Sequence, residues 1–119
     1  MALSVVIVDD HAPFRSMARQ LLEAGGFVVV GEAEDASSAL EEVHRLHPAL
    51  VLLDVQLPDL DGLTLASRLA VDEPGTAVVL TSSREAADYG HRVTSCGARG
   101  FITKADLSSE SVTAVLRMT

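Results

Sequence analysis

Carboxylate, hydroxyl and amine side chains follow four of the apolar runs in this sequence, at the point where each run ends. These residues are Asp9 and Asp10 after LSVVIV, Asp54 after LVLL, Thr81 and Ser82 after AVVL, and Lys104 after GFIT. Adjacent carboxylates repel each other and resist burial unless a positive charge compensates them. The acidic pair therefore predicts either a solvated turn or a cation site.

The residue types favour magnesium-dependent phosphoryl chemistry. Carboxylate oxygens suit Mg²⁺, which takes one or two carboxylates together with water and phosphate oxygens, and Mn²⁺ accepts the same ligands. A carboxylate such as Asp54 can act as a nucleophile and form an aspartyl phosphate. A hydroxyl at Thr81 and an ammonium at Lys104 would then neutralise charge on the phosphoryl oxygens. Taken singly, each residue has an ordinary explanation as a turn or surface residue, and only their shared position favours a site.

Five apolar runs must position these side chains. They occupy 3–8, 27–31, 50–53, 77–80 and 100–103. The runs are rich in β-branched residues and are continuous rather than alternating, which is typical of strands covered on both faces. Parallel strands joined by right-handed crossovers place all the following loops at one edge of the sheet, where ligands of such folds bind.

The segments between the runs have the length and the apolar spacing of helices. The first carries a stripe through Phe14, Ala18 and Leu22, with Pro13 near its start. The second and third segments show similar stripes. The fourth has a capping-box pattern from Ser82 to Glu85 but only a weak stripe, through Ala86, Tyr89 and Val93. The last helix is predicted from about Leu107. Alternating strands and helices predict an α/β fold with helices on both faces of a parallel sheet.

Composition limits the classes of function. A chain of 119 residues, 48% of them apolar, is the size of one domain, assigned here to 1–119. The formal net charge of −8 argues against direct binding of nucleic acid. No run is long enough to cross a membrane and no secretory signal is visible, so we expect no membrane partner. The single cysteine, Cys96, fits a reducing compartment, and a cytoplasmic location is the expectation.

Four motifs, in this order, resemble the receiver domain of bacterial two-component response regulators. They are VDDH at 8–11, LLDVQLPDLDG at 52–62, VVLTSS at 78–83 and GARGFITK at 97–104. His11 and the segment VVGEAEDASSAL at 29–40 resemble the subclass that precedes a LuxR-type helix-turn-helix. The resemblance covers the whole chain.

The resemblance implies a fold and a set of roles. The fold is the flavodoxin-like (βα)5 arrangement, a doubly wound five-stranded parallel sheet in the order 2-1-3-4-5. Asp54 would accept a phosphoryl group from a sensor histidine kinase. Asp10 and Asp54 would bind Mg²⁺ directly, Asp9 partly through water, and Gln56 through its backbone carbonyl.

The resemblance also implies a conformational switch. Thr81 would move toward the phosphoryl group, with the small Ser82 beside it, and Phe101 would be the switch aromatic. Because Phe101 has no hydroxyl, the sequence predicts that switching depends on ring packing alone. The changed surface would be that of helix 4, strand 5 and helix 5, through which a homodimer could form. Transcription would be controlled through a DNA-binding output domain outside this chain, and the domain would not itself be an enzyme.

Three other functions compete with this interpretation. A magnesium-dependent phosphohydrolase needs a second acid two residues after the nucleophile, where this chain has Gln56. A flavin-binding electron carrier needs a Ser/Thr/Gly phosphate loop after the first strand, where Asp9 and Asp10 stand. A receiver that only binds partners would not need the full set of polar residues. For Asp9, an N-terminal charge that favours the first helix is a further alternative.

Overall fold

A computed structural model describes residues 2–118, which form a single five-stranded sheet in the order β2-β1-β3-β4-β5 with every pair parallel. The strands are β1 Ser4–Val8, β2 Val28–Ala33, β3 Leu50–Asp54, β4 Ala77–Ser82 and β5 Gly100–Thr103. The flavodoxin-like fold and its strand order are therefore confirmed.

Five helices connect or follow the strands and cover both faces of the sheet. They are α1 Ala12–Ala24, α2 Ala36–Leu46, α3 Gly62–Asp72, α4 Arg92–Ser95 and α5 Ser109–Arg117. Buried residues of α1 and α5 pack with one set of strand side chains, and those of α2, α3 and α4 pack with the other set. Aliphatic side chains dominate both cores, because the sequence has only three Phe, one Tyr and no Trp.

The register of the central strands brings their carboxyl ends to one edge. Val8 of β1 lies opposite Leu53 of β3, and Asp54 lies opposite Thr81 of β4. This edge therefore brings together the residues that follow β1 and β5 and the residues that end β3 and β4. All side chains of β3 are buried, so Asp54 ends a strand that cannot easily move.

Strand β2 departs from the prediction that every strand is covered on both faces. Val28 and Val30 are exposed, although Val29 between them is buried. The cause is position, because β2 is at the edge of the sheet. The register with β1 also shifts between Val5 and Val6, which places an extra residue in β2.

The prediction of a fourth helix capped by Ser82 and Glu85 is wrong. Ser82 is the last residue of β4, and the segment forms a 3₁₀ turn at Ala86–Tyr89 followed by the one-turn helix α4. A capping box does occur, but between Glu85 and Asp88. The weak stripe explains the difference: Val93 is the one buried residue of these two elements, and an isolated turn is too short to be stable without packing.

The last helix begins two residues later than predicted. Residues Lys104–Asp106 form a 3₁₀ turn, and Ser108 caps α5 by accepting a hydrogen bond from the backbone N–H of Ser111.

Within residues 2–118, no helix has both the length and the apolar character that a membrane span requires.

Candidate functional site

Three carboxylates gather at the carboxyl edge of the sheet. One oxygen from each of Asp9, Asp10 and Asp54 lies within 4.8 Å of the others. Asp9 is fully buried and Asp54 nearly so, whereas Asp10 is exposed to solvent. The sequence predicted that these acids would meet although they are up to 45 residues apart, and the structure brings them together.

Lys104 supplies the positive charge within this cluster. Its Nζ lies 2.7 Å from Asp9 Oδ2 and 3.4 Å from Asp54 Oδ2. The same ammonium lies 4.4 Å from the centre of the Phe14 ring, which adds a cation–π contact. Asp9 Oδ2 is compensated by this ion pair and not by a well-aligned hydrogen bond. The ammonium thus contacts two of the three carboxylates, and negative charge remains in excess.

The environment changes the pKa values of both Asp54 and Lys104. The pKa of Asp54 is raised from 3.8 to about 6, mainly by burial and also by the nearby charge of Asp9. The backbone N–H of Gln56 and the ammonium of Lys104 act in the opposite direction. Burial by itself lowers the pKa of Lys104, but its contacts with Asp9 and Asp54 outweigh this and leave the pKa raised. Lys104 is therefore charged at neutral pH, and Asp54 is mostly ionised there.

Thr81 faces Asp54 across the β3–β4 pair. The two residues are direct register partners, and Thr81 is almost completely buried. Its Oγ1 has no hydrogen-bond partner among residues 2–118. A buried hydroxyl without a partner carries a desolvation cost, so an acceptor placed beside Asp54 would relieve it.

Asp9 is held by contacts that the sequence analysis did not identify. The backbone N–H of His11 donates to Asp9 Oδ1 at 2.8 Å, at the start of α1. The Arg15 guanidinium donates to the backbone carbonyl of Asp9 and, at 3.0 Å, to the carboxylate of Glu32 in β2. Asp9 thus also contacts the start of α1, and the alternative that its charge favours this helix stays a prediction. No local pattern links Arg15 to Glu32, which is 17 residues away.

The loop after Asp54 is fixed by two further acids whose roles were missed. Asp59 accepts hydrogen bonds from the first backbone N–H groups of α2, at 2.8 and 3.1 Å. Asp61 caps α3 through the N–H of Thr64 and contacts Arg92 of α4 at 3.2 Å. An Asp directly before a helix was a usable signal for Asp61. The long-range cap by Asp59 had none.

The remaining predicted residues lie around the cluster. The backbone N–H of Gln56 donates to Asp54 Oδ1 at 3.1 Å, and its side chain is exposed. Ser82 is fully buried at the end of β4 and hydrogen-bonds to Tyr89. Phe101 is half-buried, with its ring centre 6.1 Å from that of Tyr89. The roles of Gln56, Ser82 and Phe101 stay predictions.

The donor set fits a hard divalent cation. The acids offer three carboxylate oxygens at close quarters, and a single ammonium leaves their repulsion only partly compensated. The exposed Asp10 opens the cluster to solvent, where Mg²⁺ could retain part of its water shell.

Comparison with protein families shows the family of this chain. The model of the "Response regulator receiver domain" matches residues 5–116. The chain belongs to this family. It is therefore a receiver domain of a two-component system. The matched residues include the whole acidic cluster and Lys104. Receiver domains bind Mg²⁺ at an acidic pocket, and this chain has an acidic cluster of Asp9, Asp10 and Asp54.

Curated relatives place this receiver domain among longer proteins. It is 33% identical over 114 residues to the response regulator GacA of Pseudomonas protegens, covering 95% of this chain and 54% of that protein. It is 39% identical over 112 residues to a protein-glutamate methylesterase/protein-glutamine glutaminase of Shewanella, covering 92% and 32% respectively. The chain spans about half, or less, of the length of these relatives.

Solved structures agree with the LuxR-type subclass. The signal receiver domain of NarL from Mycobacterium tuberculosis is 35% identical, with a TM-score of 0.87 and coverage of 97% of this chain and 94% of that chain. A LuxR-family response regulator from Aurantimonas is 26% identical, also with a TM-score of 0.87, covering 98% and 84%.

Proposed function

We propose that this receiver domain accepts a phosphoryl group on Asp54 from a sensor histidine kinase and switches an output surface in response. The observation that carries the proposal is the surrounding of Asp54, with Lys104 at 3.4 Å and Thr81 in direct register. This arrangement places an ammonium and a free hydroxyl around one nucleophilic carboxylate. It supports phosphoryl transfer, which depends mainly on positioning and charge neutralisation.

The transfer step requires little beyond these groups. A carboxylate oxygen of Asp54 forms a bond to phosphorus while the bond from phosphorus to the donor histidine nitrogen breaks, and the imidazole leaves. A pKa of about 6 keeps Asp54 mostly ionised at neutral pH. Lys104 then donates to the phosphoryl oxygens, and Thr81 moves toward them as its buried hydroxyl gains a partner.

Asp9, Asp10 and Asp54, with the backbone carbonyl of Gln56, would hold Mg²⁺ or Mn²⁺. We assign direct contacts to Asp10 and Asp54, and a partly water-mediated contact to Asp9, whose buried oxygen is already paired with Lys104. The cation supplies charge neutralisation for the transferring phosphoryl group.

The output that we propose is transcriptional. The NarL relative, 37% identical over 113 residues, carries the name of a transcriptional regulatory protein, and the chain covers 52% of it. DNA would be bound by an output domain outside 1–119, and the α4–β5–α5 surface would carry the signal, with homodimerisation as one route. We assign no enzymatic activity to the domain beyond its own phosphorylation and dephosphorylation, and we place it in the cytoplasm with its kinase.

Calorimetric titrations with Mg²⁺, and with beryllofluoride as a phosphoryl analogue, test the site. We expect beryllofluoride to bind to the wild-type protein in Mg²⁺ and not without it. Because Asp10 is exposed and outside the buried ion pair, Asp10→Asn should keep the fold but weaken Mg²⁺ binding about tenfold or more. The matched control is Asp72→Asn, which removes an acid at the far end of α3. Equal Mg²⁺ affinity in the wild type and Asp10→Asn would contradict the assignment of the metal ligands.

A further inference from the structure

The single tyrosine of the chain is bound to the end of strand β4. The Tyr89 hydroxyl lies 2.7 Å from Ser82 Oγ, and either oxygen can be the donor. Ser82 Oγ also accepts a hydrogen bond from the backbone N–H of Arg84, at 3.0 Å. Ser82 is fully buried, whereas Tyr89 is half-buried in the 3₁₀ turn Ala86–Tyr89. This bond therefore fastens the turn to the strand.

The two hydroxyls at the end of β4 face opposite sides of the sheet. Side chains alternate along a strand, and Val79 packs with the α1 and α5 core while Leu80 packs with the core of α2 and α3. Thr81 is thus on the side of Asp54, and Ser82 is on the side of Tyr89. Because Thr81 and Ser82 share a peptide bond, a shift of one displaces the other.

A phosphoryl group on Asp54 would attract Thr81, and the resulting shift would break the hydrogen bond of Ser82 to Tyr89. Thr81 Oγ1 is buried and makes no hydrogen bond within residues 2–118, so a phosphoryl oxygen on Asp54 would attract it. The structure combines the hydrogen bond between Ser82 and Tyr89 with a Thr81 hydroxyl that has no partner within residues 2–118. Drawing Thr81 toward Asp54 would tilt the strand end and carry Ser82 Oγ away from Tyr89.

Tyr89 is also in contact with the elements that would report the movement. Its ring centre lies 6.1 Å from that of Phe101, at an interplanar angle of 49°. The ring lines a surface groove of about 490 Å³ together with the loop after Asp54 and Arg92. A displacement of Tyr89 would therefore change both the packing of Phe101 and the shape of this groove.

We propose that Tyr89 is a positioning residue of the switch, whose hydrogen bond to Ser82 is made before phosphorylation and broken after it. Tyr89 thus supplies, from the neighbouring turn, the hydroxyl that Phe101 lacks. The inference rests on the proposed function, because it needs a phosphoryl group on Asp54 to attract Thr81.

Carbon-13 labelling of the tyrosine ring gives a direct test, because one tyrosine yields one Cζ resonance. The chemical shift of Cζ responds to hydrogen bonding of the phenol oxygen. In the wild-type protein with Mg²⁺, we expect beryllofluoride to move this resonance to the position that it has in Ser82→Ala. A resonance that beryllofluoride leaves unmoved overturns the inference.

The affinity for beryllofluoride provides a second test, which does not need the tyrosine Cζ resonance. If the bond stabilises only the arrangement before phosphorylation, its loss favours the other arrangement, and linkage then strengthens phosphoryl binding. We expect Tyr89→Phe to bind beryllofluoride about threefold to tenfold more tightly than the wild type, as loss of one neutral hydrogen bond implies. Equal or weaker binding contradicts the inference.

A control and the wild-type titration separate the possible failures. Ser95→Ala removes a hydroxyl, as Ser82→Ala does, but from an exposed serine of α4. It should leave the affinity for beryllofluoride unchanged. If the wild-type protein binds beryllofluoride but neither test responds to Tyr89 and Ser82, only the role of Tyr89 is wrong. If the wild-type protein binds none, the phosphoacceptor assignment fails and the role of Tyr89 fails with it.

Discussion

Asp54→Asn is expected to stabilise the protein at neutral pH by about 1–3 kcal/mol of unfolding free energy. Burial raises the pKa of Asp54 to about 6, so ionisation of this carboxylate above that pH opposes folding. The amide keeps the shape of the side chain and can still accept from the backbone N–H of Gln56, and Lys104 keeps its 2.7 Å contact with Asp9. The lost contact with Lys104 at 3.4 Å limits the gain.

The pH dependence of this gain follows from the direction of the shift. The folded protein binds a proton at Asp54 more tightly than the unfolded chain does, so the stability of the wild type falls as pH rises from about 4 to about 6. The advantage of Asp54→Asn is therefore absent at about pH 4 and complete above about pH 6.

Urea unfolding followed by circular dichroism, at several pH values from about 4 to neutral, measures the effect. Asp72→Asn is the control, since its carboxylate forms only an exposed pair with Arg68 at 3.5 Å and should change stability little at any pH. A variant less stable than the wild type at neutral pH would show that the Asp54 carboxylate stabilises the fold, contrary to the account of its burial.

Gly62→Ala is expected to destabilise the protein by at least about 2 kcal/mol and to impair phosphorylation of Asp54. A Cβ at Gly62 would clash with the backbone oxygen of Asp54 and would lie 2.8 Å from Cα of Val55. Both atoms belong to the backbone that carries the nucleophile, so neither can rotate away as a flexible side chain could. The relief of this clash must move Asp54 itself.

The chain contains a matched control for this substitution. Gly75 has no positive φ, and a Cβ there would meet no atom of residues 2–118 within 4 Å. Gly75→Ala should therefore leave stability within about 0.5 kcal/mol of the wild type. Denaturant unfolding compares the two variants. Equal stability of Gly62→Ala and the wild type would mean that the loop after Asp54 can shift freely, against the close packing described above.

The sheet was predictable because its strands are strongly patterned. The runs around β1 and β3 are continuous and apolar, and they become strands that are buried except at Ser4. β1 ends at Val8, directly before Asp9, and β3 ends at Asp54. The position of a residue after its strand then suffices to place Lys104 beside both acids, since parallel strands share one edge. The strand order itself came from the resemblance to receiver domains and not from periodicity.

The parts that were missed depend on contacts between distant segments or on marginal packing. The fourth helix breaks into a 3₁₀ turn and one helical turn because Val93 alone among their residues is buried. Arg15 donates directly to the backbone carbonyl of Asp9 and is also paired with Glu32 of β2. Asp59 joins the loop after Asp54 to the start of α2, at least 22 residues away in the sequence. Tyr89 was placed on an apolar stripe, and its hydrogen bond to Ser82 became apparent only in three dimensions.

The measurement that tests the central claim most directly is intact-mass spectrometry after incubation with acetyl phosphate. The wild-type protein should gain one phosphoryl group in Mg²⁺ and none when the metal is chelated. Asp54→Asn should gain none in either condition, while Asp72→Asn should behave as the wild type. A gain that Asp54→Asn retains, or one that does not need Mg²⁺, would contradict the assignment of Asp54 and its acidic neighbours as a metal-dependent phosphoacceptor site.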